Sequence, residues 1–121
     1  MRKFLCLASA VAILGGCASP ADREVDACND FFSIAPLDGA DTQAHIDEVL
    51  QLAEAHTGTS IGREAGAYGR GLQIFWDDVE RFGETFQTDD EALAANIGLY
   101  RSAMDLKEEL TVRCDDLLTG R

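Results

Sequence analysis

Between residues 61 and 86 apolar side chains recur at alternating steps of four and three: Ile61, Ala65, Tyr68, Leu72, Phe75, Val79, Phe82 and Phe86. That alternation keeps one stripe on one side of an α-helix, whereas a strand, with a period of two, would scatter it over both faces. It predicts a long helix over residues 60–86 with a heptad-like seam for packing against other helices. The surrounding chain agrees. Its two prolines, Pro20 and Pro36, both come early, so no proline interrupts a helix from residue 40 onward. No alternating strand pattern competes.

The seam needs partners, and three further segments supply them. Ser19 followed by Pro20 reads as an N-cap with proline at the first helical position. It opens a short helix to about residue 33, with Val25, Cys28 and Phe32 on one side. Pro36 and Asp38-Gly39 make a turn. A helix over residues 41–56 follows, with Ile46, Val49, Leu50 and Ala53 as its apolar stripe, and Gly58 suits the left-handed position after it. Thr88-Asp89-Asp90-Glu91 reads as a capping box with Thr88 as the cap. The helix it opens runs to about residue 118 and carries Ala92, Ala95, Leu99, Ala103, Leu106, Leu110, Cys114 and Leu117 on one broad face. The expected fold is all-α: a small antiparallel helical bundle of three long helices plus a short N-terminal one.

The seam helix is also rich in glycine: Gly62, Gly66, Gly69 and Gly71. Each costs roughly 1 kcal/mol relative to alanine inside a helix. Either the helix breaks near Gly69-Arg70-Gly71, or Gly58, Gly62 and Gly66 let a neighbour approach closely. A continuous or kinked helix is the expectation. A phosphate-binding loop is not, because G-x-x-x-x-G-K-[ST] is absent and no strand precedes the glycines.

The N-terminus has a different character. Arg2 and Lys3 precede an apolar run over residues 4–14, the charged and apolar regions of a secretory signal peptide. The run is shorter than the roughly 20 apolar residues that span a bilayer. It ends Leu14-Gly15-Gly16-Cys17. Within residues 1–17 the sequence resembles the signal peptides of bacterial lipoproteins, whose lipobox has this leucine, small, small, cysteine order. The resemblance implies that residues 1–16 are removed and that Cys17 is lipidated and becomes the first residue of the mature chain. Residues 17–19 would then be a minimal linker and residues 20–121 a single acidic helical domain held close to the membrane. It implies a bacterial envelope location, on the outer face of the cytoplasmic membrane or on the outer membrane. Two or more acyl chains give stable anchoring, since each buried CH₂ contributes about 0.8 kcal/mol.

The full chain of 121 residues carries a net charge of −12; losing residues 1–16, with Arg2 and Lys3, leaves 105 residues at −14. Such a chain avoids nucleic acid and anionic head groups and attracts basic proteins and divalent cations. Of its four cysteines, Cys6 leaves with the signal and Cys17 takes the lipid. Cys28 and Cys114 remain, and in an oxidising compartment they read as a disulfide. A zinc site would need paired spacings such as C-x₂-C, which do not occur.

Little else suggests chemistry. His45 and His56 are eleven residues apart, about 16 Å along a helix, too far to share an ion, and both read as exposed or boundary residues. C-x-x-C-H is absent, which leaves haem without an attachment site. The acids at 77, 78, 80 and 84, at 89–91, at 108–109 and at 115–116 match no EF-hand loop. They read as solvated helix faces, supported locally by pairs such as Asp77 with Arg81 and Glu109 with Arg113. Trp76, one residue off the seam, reads as a core edge or, alternatively, a partner contact. Ser60 and Ser102 are not read as nucleophiles. The expectation is a non-catalytic protein with no cofactor and no metal site, which binds or supports another envelope component. An inhibitor or immunity-type protein that neutralises a basic partner is one alternative, and a carrier of a small ligand or divalent metal in the bundle interior is another.

Overall fold

The computed structural model describes residues 19–37 and 41–120. The expectations placed on the signal segment, on Cys17 and on the Asp38-Gly39 turn lie outside those residues. The described chain forms α1 (Pro20–Ser33), α2 (Thr42–Ala55), α3 (Ser60–Phe82), a 3₁₀ turn (Thr85–Gln87) and α4 (Asp90–Leu118), with no strand among them. The helices contain 14, 14, 23 and 29 residues, so length alone does not set α1 apart from α2. The molecule is an all-helical bundle.

Short polar side chains start each helix by accepting from backbone N–H groups that have no partner in the first turn. Ser19 Oγ accepts from Asp22 N–H at 3.1 Å, and Asp41 from Ala44 N–H at 2.9 Å. Thr59 caps α3 through Gly62 N–H. At α4 the cap is Asp89, which accepts from Ala92 N–H at 3.0 Å, and not Thr88. Thr88 is spent on the 3₁₀ turn, where its hydroxyl and its N–H both reach Thr85 O. The carboxylate is left to face the positive helix end, with Asp90 and Glu91 beside it. The turn also shortens α3, which stops at Phe82 and not at 86, because 83–88 close i→i+3 bonds instead.

Cys28, Ala27 and Phe31 of α1, Ile46, Val49 and Leu52 of α2, Ile61, Ala65, Tyr68 and Leu72 of α3, and Ala103, Leu110 and Cys114 of α4 form one core. Two expected faces are rotated. In α1 Phe31 is buried and Phe32 is 45 % exposed. In α2 Leu52 and His45 are buried, and Leu50 and Ala53 lie half-buried at the edge. On α4, Ala92 is half-buried and Ala95 exposed.

The glycines of α3 do not break it. The helix is continuous, and α2 crosses its glycine side with Ala53 over Gly66 and with Val49 and Leu50 over Gly69. The turn between them depends on two glycines. Gly58 has φ +95°, which side chains rarely adopt. A Cβ on Gly62 would stand 2.3 Å from the His56 carbonyl oxygen.

Contacts run the length of α3 and α4: Arg113 donates to Ser60 Oγ and pairs with Glu64, Gly71 faces Ala103, and Asn96 donates to Phe75 O and Asp78. α1 covers the end of this pair that holds Ser60 and Cys114, and α2 reaches as far as Gln43, whose amide exchanges two hydrogen bonds with that of Gln73. Beyond that amide pair the character changes. Between residues 73 and 102, Asn96 is the one buried residue.

Candidate functional site

Several polar arrangements join the helices. At the start of α3 the Glu24 carboxylate accepts from Ser60 N–H at 2.8 Å, Ile61 N–H at 2.9 Å and Ser60 Oγ at 3.1 Å. Arg113 Nη2 donates to the same Ser60 Oγ at 2.9 Å. Burial pushes this carboxyl up, but the hydrogen bonds from Ser60 and Ile61 and the Arg113 charge outweigh it and hold the group below its ordinary 4.5. A helix N-terminus is a ready anion site; here the chain's own glutamate fills it.

Ser60, set aside above as a nucleophile for want of a G-x-S-x-G context, does stand in that spacing of nucleophile elbows, Gly58-Thr59-Ser60-Ile61-Gly62. Its surroundings are not those of a nucleophile. The elbow joins a strand to a helix, whereas here a helix precedes. The base within reach is Glu24, weakened by its own donors, and the helix-start N–H groups are occupied by that carboxylate. His56 makes no hydrogen bond to Ser60; its Nε2 lies 2.7 Å from Asp30 Oδ2.

His45, expected to be exposed or at a boundary, is buried, at 7 % exposed. Its Nδ1 is 2.9 Å from Ala35 O and its Nε2 2.8 Å from the Tyr68 hydroxyl. A carbonyl only accepts, so in the neutral ring Nδ1 carries the proton and Nε2 accepts from Tyr68. Burial raises the Tyr68 hydroxyl to about 12, which keeps it a donor. Both ring nitrogens are spent, so the pair ties α2 to α3 and to the segment after α1 and leaves no free base. Its signal was legible: His45, Val49 and Leu52 follow at steps of four and three. Glu24 and Asn96 carried no such signal, because their partners lie 36 and 18 or more residues away.

Cys28 and Cys114 sulfurs lie 2.10 Å apart, at disulfide-bonding distance. The expected local ion pairs do not form: Asp77 accepts from Gln73, Arg81 lies over the Phe82 ring, and Arg113 leaves Glu109 for Glu64. Trp76 is half-buried against the core edge. A groove of about 620 Å³ between α2 and α3 is lined by Leu50, Ala53, Gly62, Arg63, Gly66 and Arg70. Among the described residues no three His, Cys, Asp or Glu side chains are grouped to hold a metal ion, and every buried side-chain N or O atom has a partner. No protein-family model, curated protein or solved structure matches the chain.

Proposed function

We propose that this chain is a small acidic lipoprotein of a bacterial cell envelope, anchored through lipid on Cys17, that works by binding and not by catalysis. The observation that carries the reading is the end of the apolar run, Leu14-Gly15-Gly16-Cys17, behind Arg2 and Lys3. The Cys28–Cys114 pair supports it, because a bridge across 86 residues of sequence belongs in an oxidising compartment. No described helix is long and apolar enough to cross a membrane, so membrane attachment would rest on the N-terminus.

We read the bundle as antiparallel, with α2, α3 and α4 as its frame and α1 strapped across one end. The paired positions 60 with 113, 71 with 103 and 75 with 96 support that sense. A Cys17 anchor would join the chain just before Ser19, at the end where Glu24 meets α3. The other end of α3, at Phe82, would stand about 33 Å farther out at 1.5 Å per residue.

The test is the intact mass of the unreduced protein from its host's membrane. A chain lacking residues 1–16, carrying acyl chains and two hydrogens short of the free-thiol mass, is expected. Cys17→Ala should release the protein from the membrane fraction. A full-length or unlipidated mass, or a Cys17→Ala protein still bound to the membrane, would remove the reading.

A further inference from the structure

The seam of α3 is one pattern with two environments. Ile61, Ala65, Tyr68 and Leu72 are wholly buried, whereas Phe82, on the same stripe, is 45 % exposed. On α4, Leu93, Ile97 and Tyr100 follow at steps of four and three and are each more than a third exposed. The Phe75 ring meets Tyr100 at 5.1 Å and Trp76 at 6.5 Å, which joins the two stripes into one aromatic-rich face at the edge of the core. Five of the eight exposed large apolar side chains lie between residues 73 and 102, each with more than a third of its surface open. A seam that continues at full strength beyond its intramolecular partners is a feature of interaction surfaces, as is enrichment in Trp, Tyr and Phe.

Charge selects the occupant. Residues 73–102 carry seven acids, Asp77, Asp78, Glu80, Glu84 and Asp89 to Glu91, against Arg81 and Arg101. None of the seven forms an ion pair among the described residues. A second copy would bring the same net −5 against this one. A membrane-binding face would be flanked by Lys and Arg, not by acids. The face fits the mirror of its own composition. We infer that the face formed by Phe75, Trp76, Phe82, Leu93, Ile97 and Tyr100 docks an amphipathic helix of a partner protein, with its apolar stripe in the gap that a third helix would fill and its flanking Lys and Arg on the acids. The inference rests on the binding reading above and not on the anchor.

The full chain in phosphatidylcholine nanodiscs is titrated against a labelled, stapled peptide of about 14 residues, the roughly 20 Å of helix that matches residues 90–102. The peptide carries a Leu stripe flanked by Lys and Arg; a companion carries Glu instead. Protein-free nanodiscs report binding to lipid. Saturable binding is expected, weakened at least about tenfold by Ile97→Glu and by Phe82→Glu, by the glutamate companion and by salt, because a charge in the apolar stripe and loss of the acid pairing each remove about 1.4 kcal/mol or more. Val112→Glu, exposed on the other half of α4, should leave binding unchanged. All variants are compared at equal helicity. Equal binding by wild type and both face variants overturns the inference. So does equal binding by protein-free nanodiscs, which assigns the face to lipid, or a dimer abolished by Ile97→Glu, which assigns it to a second copy. An intact mass without acyl chains would end the anchor reading and leave this result standing.

Discussion

One helix pair passes through two environments. In the half that holds residues 60–72 and 103–114, two further helices lie over α3 and α4, and every seam residue of α3 from Ile61 to Leu72 is removed from water. In the half that holds 75–82 and 93–100, the same spacing continues with larger side chains, and the one buried residue is the polar Asn96. Apolar patterning is therefore not what separates the halves. Coverage is, and α2 begins only at Thr42, opposite the Gln43–Gln73 amide pair. The covered half holds the fold; the open half has a seam without a third wall.

If that division is right, damage to the covered half should cost most. The largest effect is expected from the Cys28–Cys114 bridge, which spans 86 residues and lies within the covered half. In the chain-entropy model it contributes roughly 4–5 kcal/mol. Urea unfolding with and without reductant should show that loss, with a lower midpoint after reduction. An unchanged midpoint would mean that the staple does not hold this half. Next come Leu72→Ala and Leu110→Ala, each a wholly buried site, at about 2–5 kcal/mol. Phe82→Ala, on the same seam but half open, should cost less than about 1 kcal/mol despite the larger side chain. Equal losses at Leu72 and Phe82 would erase the difference between the halves.

The sequence carried the covered half well. Period and proline placement gave all four helices, and Ser19 and Gly58 marked ends through local chemistry. The two sulfurs could be paired by counting. It failed where the deciding contact is distant or competitive. Thr88 and Asp89 are both good caps, and the choice depended on a 3₁₀ turn that occupies Thr88. Phe31 and Phe32 are adjacent, and it is Phe31, one turn on from the bonded Cys28, that enters the core. Glu24 looks like any exposed acid until α3 starts beside it. The openness of the other half was not legible for the opposite reason: its period is as good as that of the covered half, and a period records which side is apolar without recording whether anything lies against it.

Glu24 sharpens the comparison by testing what fastens α1 onto the covered half. Glu24→Gln keeps the shape, removes the charge, and should cost about 1–2 kcal/mol at neutral pH, since hydrogen bonds to a charged group are the stronger kind. The pH dependence has a definite sign. The folded carboxyl titrates below its ordinary 4.5, so its contribution is complete above that value and is lost as pH falls through the lower folded value. Wild type and Glu24→Gln should therefore differ in midpoint at pH 7 and converge as the pH drops below 4.5. A gap that persists in strong acid would show that the loss in the variant does not come from the missing charge.

The smallest effect belongs to the open half. Ile97 is 40 % exposed in the folded chain, so truncation removes fewer contacts than at a wholly buried site. Ile97→Ala should change the unfolding free energy by less than about 0.5 kcal/mol, the range of substitutions at surface positions. Amides over 75–82 and 93–100 should likewise exchange faster than those over 61–72 and 103–114, because fewer buried contacts oppose local opening. A loss of about 2 kcal/mol or more at Ile97 would contradict this, and protein concentration tells why. A midpoint that rises with concentration means that copies of the chain cover the face, since association stabilises by mass action. A midpoint indifferent to concentration means that the two helices close on each other in solution more tightly than the half-open seam allows. Either outcome would withdraw the face from a partner.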